Sequence, residues 1–198
     1  MERLAIAYVT CDKYSHVWEE WHDAYLKYWG VDIPVYWCGE EEPAIDNDFI
    51  QVFHERVEAD RWTTKLREQI ERIPEEHIFI WLDDLIQQKI IDKPFRELYK
   101  WFVDSDADSL RMMGRDSRAD YMRGIYIDGR VLHKLTERSP YLISYSPNIY
   151  RREFLLDILR VEESPWSSEL NGSVRIQGQR RNIYAYHIDD WYINRVVQ

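Results

Sequence analysis

Apolar residues along the first 115 positions come in two rhythms. Short runs at 4–9, 33–38, 49–53, 78–82 and 110–113 have the length of strands. Between them, apolar residues recur at three- and four-residue steps, as on one face of a helix. Trp18, Trp21, Tyr25 and Tyr28 form the first such face, Trp62, Leu66, Ile70 and Ile73 the second, and Phe95, Leu98 and Phe102 the third. The punctuation agrees. Ser15 reads as the cap of the first helix, with Glu19 and Glu20 near its positive end and Gly30 as its stop. Asp60 reads as the cap of the second, which Pro74 ends, and Pro94 suits the first turn of the third. The run 78–82 is almost continuously apolar, as expected of a strand buried on both faces.

Beyond residue 115 the rhythm changes. Residues 121–132 alternate around Asp128-Gly129, a hairpin turn signal. Residues 142–146 read as a strand, followed by a helix over about 151–160 and another starting at Ser164-Pro165. A last strand is predicted over about 182–187. Alternating strands and helices predict an α/β fold: a Rossmann-like, mixed but mainly parallel sheet flanked by helices, with an irregular C-terminal third. The 198 residues show no repeat and no linker, so one domain is expected over 1–198.

Charge narrows the function classes. The chain has 26 basic and 36 acidic residues, a formal net charge of −10, which argues against a large nucleic-acid footprint. Residues 1–110 hold 12 Lys+Arg against 25 Asp+Glu, whereas 111–198 hold 14 against 11. All but Lys134 of those 14 are Arg, the side chain suited to bidentate phosphate or carboxylate contacts. Ordinary ion pairing between the halves explains the asymmetry equally well. Two cysteines, Cys11 and Cys38, are too few for a zinc site or a disulfide framework. No apolar run is long enough to span a membrane, and the N-terminal residues lack a cleavage region. A cytoplasmic protein is the expectation.

The chemistry concentrates at Asp83-Asp84, directly after the buried run 78–82. In open α/β sheets the carboxyl ends of the strands are where ligands bind. Two adjacent carboxylates there repel unless a cation or hydrogen-bond donors compensate, and Mg²⁺ is typically held by one or two carboxylates plus phosphate oxygens. The competing reading is a solvated turn.

These residues do not stand alone. Thr10-Cys11-Asp12 follows the first strand, Arg61-Trp62-Thr63-Thr64-Lys65 opens the helix before the acidic strand, and Pro165-Trp166-Ser167-Ser168-Glu169 opens a late helix. In this order, over about residues 4–190, the pieces resemble GT-A-type glycosyltransferases, especially bacterial and viral enzymes of lipopolysaccharide and surface-polysaccharide synthesis. The chain departs from that pattern in reading Leu-Asp-Asp where Asp-x-Asp is usual. The resemblance implies a nucleotide-sugar-binding part over about 1–115 and an acceptor-side part over about 116–198. It implies transfer of a sugar from a nucleotide diphosphate sugar to a hydroxyl of a glycan, lipopolysaccharide or other acceptor. Thr10, Asp12, Arg61, Trp62, Lys65 and Asp83 would bind the donor. Asp83, Asp84 and His187 would hold Mn²⁺ or Mg²⁺, with Asp84 catalytic through the metal. Glu169 would serve as base toward the acceptor hydroxyl.

Each of these residues also has a plain structural reading. Glu169 suits a helix surface, His187 a strand, Lys65 a solvated helix face, Asp12 a turn, and Arg61 with Trp62 a helix start and core anchor. Arg175, Arg180 and Arg181 suit a basic loop, or contact with an acceptor phosphate or a peripheral membrane surface. Two other functions fit the same residues: a metal-dependent nucleotidyl- or phosphotransferase, and a non-catalytic sugar- or nucleotide-binding module. A viral enzyme glycosylating modified DNA bases is a third, opposed by the net charge. The signatures of P-loop, dinucleotide, nucleophile-elbow and zinc-protease chemistry do not occur.

Overall fold

The computed structural model describes residues 1, 3–41, 47–88, 92–112, 122, 124–127, 130–145, 147–186 and 193–195. The chain starts with β1 (Leu4–Val9), a 3-10 turn (Asp12–Val17) and α1 (Trp18–Tyr28). Next come β2 (Val35–Cys38), β3 (Ile50–Gln51), α2 (Trp62–Glu71), β4 (His77–Leu82) and β5 (Leu85–Gln87). They are followed by α3 (Asp92–Asp104), β6 (Ser109–Arg111), β7 (Ile125–Ile127) and β8 (Arg130–Lys134). The last elements are β9 (Asn148–Arg151), α4 (Arg152–Ile158), α5 (Pro165–Ile176), β10 (Ile183–Tyr186) and β11 (Ile193–Arg195).

Among the described residues, nine strands form one sheet in the order β3-β2-β1-β4-β9-β6-β10-β8-β7, and β5 pairs with β11 separately. Strands β1, β2, β3 and β4 are parallel neighbours, as are β6 and β10. Strand β9 runs antiparallel to both β4 and β6, and β8 runs antiparallel to β7 and β10. The sheet is mixed, and helices cover both faces. Trp18 and Trp21 of α1 and Phe95, Leu98 and Phe102 of α3 pack with Leu4, Ile6, Tyr8, Phe79 and Trp81 on one side. Leu66 and Ile70 of α2 and Phe154, Leu155 and Ile158 of α4 pack with Ala5, Ala7, Ile78 and Ile80 on the other. Alternate residues of β1 and β4 therefore serve opposite cores, which is why both strands are continuously apolar.

Several expectations need correction. Of the expected strand 142–146, the described residues 142–145 are not a strand; the strand is Asn148–Arg151, and it fills the gap between β4 and β6. Strands β7, β8, β9 and β10 all belong to the main sheet. Ser15 lies inside the 3-10 turn and does not cap α1, which has no side-chain cap. Asp60 likewise lies in a 3-10 turn, Ala59–Arg61. The α1 helix ends at Tyr28 because Trp29 adopts extended backbone, one residue before Gly30. The start at Ser164-Pro165 is a full capping box, in which Ser164 and Ser167 bond each other's backbone N–H. The hairpin turn Asp128-Gly129 lies outside the described residues, but Ile127 pairs with Arg130 across it.

Candidate active site

Three parallel strands end together. Asp83 N–H donates to Val9 O at 3.2 Å and Thr10 N–H donates to Cys38 O at 3.2 Å, so the segments after β1, β2 and β4 meet at one sheet edge. This is the carboxyl edge, where parallel α/β sheets bind ligands. The β1 segment supplies Thr10, Cys11 and Asp12, the β2 segment Gly39 and Glu40, and the β4 segment Asp83 and Asp84.

Asp83 is buried, and its Oδ2 accepts the Thr10 hydroxyl proton at 2.7 Å. The same Thr10 oxygen accepts Trp18 Nε1–H at 2.7 Å, which turns the hydroxyl toward the carboxylate. Burial raises the Asp83 pKa to about 7, with the negative charge of Asp84 adding to it. The Thr10 hydroxyl, the Cys11 N–H and the charge of Lys65 pull the other way and lose. Asp84 follows, half-buried.

Lys65 does not stand in the open. Its ammonium bonds Glu40 Oε1 at 2.9 Å, with 3% and 8% of the two side chains exposed. The other oxygen, Glu40 Oε2, accepts Asp12 N–H at 3.3 Å, so Glu40 links α2 to the turn after β1. Nearby, Gln69 Nε2 donates to Gly39 O and Val52 O. Gly39 has no room for a side chain, because an added Cβ would lie 2.5 Å from Trp37 Nε1.

Glu169 is tied to a segment that leaves the sheet at the same edge. Asn148 pairs with Ile80, so the chain before Asn148 leaves the sheet where β4 delivers Asp83. That segment is irregular, and buried side chains satisfy its backbone. Ser173 Oγ accepts Leu142 N–H and Ile143 N–H, each at 2.9 Å. Ser144 O accepts Tyr150 O–H at 2.6 Å and Asn148 Nδ2–H at 3.1 Å, and Tyr141 O accepts Arg111 Nη2–H at 3.1 Å. Tyr145 N–H then donates to Glu169 Oε1 at 2.7 Å. The Tyr145 ring meets Trp62 edge-on, centroids 4.9 Å apart.

Of the residues singled out from sequence, the structure brings Thr10, Asp12, Lys65, Asp83 and Asp84 together at the edge, and Glu169 bonds the 141–145 segment that leaves the sheet beside them. Arg61 is instead exposed and pairs with Glu162 at 3.3 Å, tying the entry of α2 to the approach to α5. His187 lies outside the described residues. Among the described residues no cluster of three or more His, Cys, Asp or Glu side chains forms a metal site. The oxygen donors at the edge nevertheless suit a hard cation. Glu40 is taken up by Lys65, whereas Asp83 and the adjacent half-buried Asp84 present carboxylate oxygens of the kind that hold Mg²⁺ or Mn²⁺. The sequence reading missed Glu40, Trp18 and Arg111. The position of Glu40 just past a parallel strand was a usable signal; the roles of Trp18 and Arg111 depend on contacts from distant segments.

A mixed sheet with β9 inserted antiparallel beside β4 is a GT-A-like fold. Solved structures sharing it include residues 1–349 of S. aureus TarS in complex with UDP-GlcNAc. That structure has TM-score 0.61 and 14% identity, over 100% of this chain and 59% of the other. The chain thus spans about three-fifths of the TarS fragment. A CMP:2-keto-3-deoxy-manno-octonic acid synthetase complexed with CTP matches with TM-score 0.57 and 14% identity, over 94% of this chain and 90% of the other. A UDP-glucose pyrophosphorylase complexed with UDP-glucose matches with TM-score 0.57 and 11% identity, over 98% and 92%. No protein-family model and no curated protein sequence matches the chain.

Proposed function

We propose that the chain is a GT-A-type glycosyltransferase that moves a sugar from a nucleotide diphosphate sugar to an acceptor hydroxyl. The observation that carries this reading is the meeting of Thr10, Asp12, Glu40, Asp83 and Asp84 at one carboxyl edge, with Glu169 brought to that edge from the other half. The donor nucleotide would lie over the segments after β1 and β2, and its diphosphate over Asp83 and Asp84. These two carboxylates would hold Mn²⁺ or Mg²⁺. When bound, the cation supplies Lewis-acid stabilisation of the leaving diphosphate.

Glu169 takes the proton of the acceptor hydroxyl. The acceptor oxygen forms the new bond to the anomeric carbon as the bond to the diphosphate breaks, and the nucleoside diphosphate leaves with the electron pair. A base on the acceptor side is the arrangement of a single displacement with inversion. The Tyr145 N–H holds one Glu169 oxygen and so fixes the carboxylate against the 141–145 segment.

The nucleotidyltransferase alternative is supported by the synthetase and pyrophosphorylase among the structural matches. Parallel incubations with Mn²⁺, one of nucleotide sugars and one of nucleoside triphosphates with sugar phosphates, separate the readings by product. Release of free nucleoside diphosphate, lost in Asp84→Asn, supports glycosyl transfer. Release of pyrophosphate from a nucleoside triphosphate and a sugar phosphate overturns it. Metal-independent nucleotide binding without turnover leaves only the binding module.

A further inference from the structure

The exposed arc of α5 is unusual for a surface helix. Trp166, Leu170 and Val174 recur at four-residue steps and are 69%, 46% and 64% exposed. Ser167 and Asn171 continue the same arc, so it carries no charged residue. A solvent-facing helix surface is ordinarily charged. The two charged residues of α5 turn aside: Glu169 bonds Tyr145 N–H, and Arg175 forms a bidentate pair with Glu163 at 2.7 and 2.8 Å.

At the Val174 end the surroundings become basic. Gln177 Nε2 donates to Arg138 O and Ser139 O, which seats Arg138 against the C-terminus of the helix. Arg180 follows three residues later. Both arginines are exposed, and neither has a carboxylate partner among the described residues. Arg181, by contrast, is held by Asp108 and Asp157.

We propose that this ridge seats the protein on an anionic lipid surface. Trp166, Leu170 and Val174 enter the interface, and Arg138 and Arg180 contact the headgroups. A tryptophan at one end and arginines at the other suit the boundary between acyl chains and charged headgroups. Three apolar side chains fall well short of the 20–30 residues per side of a stable protein interface, which favours the lipid surface over a protein partner. On the proposed function, with Glu169 as the base, this seating turns the acceptor side toward the membrane plane.

The test is co-sedimentation of the full chain with vesicles of phosphatidylglycerol and phosphatidylcholine in equal parts, without nucleotide. Binding is expected, weakening with salt and with phosphatidylcholine alone. The triple variant Trp166→Ser/Leu170→Ser/Val174→Ser, shown folded by circular dichroism, is expected to bind at least tenfold more weakly. Arg138→Gln and Arg180→Gln are each expected to lose roughly fivefold. Wild-type protein that stays in the supernatant overturns the proposal, and so does a folded ridge variant that binds equally well. A wild-type dimer that the ridge variant abolishes would reassign the ridge to self-association. Because the readout needs neither donor nor turnover, its failure is distinct from failure of the glycosyltransferase reading.

Discussion

Thr10 Oγ1 stands 2.7 Å from Asp83 Oδ2 and 2.7 Å from Trp18 Nε1, donating to the first and accepting from the second. One hydroxyl thereby couples the helix after β1 to the carboxylate after β4, 73 residues away in sequence. Replacing Thr10 by Val keeps the shape and removes both bonds. The ionised form of Asp83 loses a donor, so its pKa is expected to rise further. The buried indole N–H loses its acceptor, at about 1–3 kcal/mol. Carboxyl NMR titration and urea unfolding would read the two effects, and Thr10→Ser should restore both. An unchanged Asp83 titration in Thr10→Val would count against the coupling.

The raised pKa of Asp83 has a defined effect on stability. Between the ordinary carboxylate value near 4 and about 7, the folded protein holds a proton that the unfolded chain has released. That contribution is full below about 4 and is lost as pH rises through about 7. Asp83→Asn, which stays neutral, is expected to raise the melting temperature relative to wild type at pH 8 and to lose that advantage at pH 5. Melting curves without divalent cations at the two pH values would decide it.

His77 gives the opposite slope. Burial, with the positive charges of Arg151 and Arg3 adding to it, lowers its pKa to about 4. Its Nδ1 bonds the Tyr99 hydroxyl at 2.9 Å. The unfolded chain takes up this proton near pH 6.5 and the folded protein does not, so stability present above 6.5 is lost as pH falls toward 4. In His77→Gln the acid limb of the stability profile should be shallower between those values. A profile parallel to wild type would refute the assignment.

The Lys65–Glu40 pair is expected to be asymmetric in its energetics. Lys65→Met leaves a buried carboxylate unpaired and should cost about 3–5 kcal/mol. Lys65→Met/Glu40→Gln removes the stranded charge and should recover much of that loss. Urea denaturation of the single and double variants measures the difference. Equal losses would show that the pair is well solvated.

If Glu169 is the base, Glu169→Gln should lower turnover by about 10²- to 10⁴-fold while donor affinity stays near wild type. The side chain keeps an oxygen for Tyr145 N–H, so the 141–145 segment should hold. Steady-state kinetics with separate calorimetry of nucleotide binding would test this. Equal loss of turnover and binding would instead make Glu169 a structural residue.

The local pattern carried much of this architecture. The apolar runs at β1 and β4 announced strands, and the continuous run of β4 one buried on both faces; in the fold alternate residues of both strands enter two different cores. The periodic faces of α1, α2 and α3 were equally legible, and Asp83-Asp84 stood out because a charge doublet is conspicuous after five apolar residues. Strand β9 was not legible. Asn148–Arg151 is short, and it becomes a strand only because β4 and β6 leave an unpaired place between them. The apolar stretch before it read as a strand, yet its backbone is satisfied by Ser173, Tyr150, Asn148 and Arg111 rather than by a ladder. The same holds at the site. Lys65 read as a donor contact or a solvated helix charge and Glu40 was not singled out, and only their meeting across a buried gap makes them a pair. Residue type and periodicity are local quantities and can be read along the chain. Which polar groups find partners depends on segments 25 to 100 residues apart, as between Lys65 and Glu40 or Thr63 and Glu163, and folding alone brings them together.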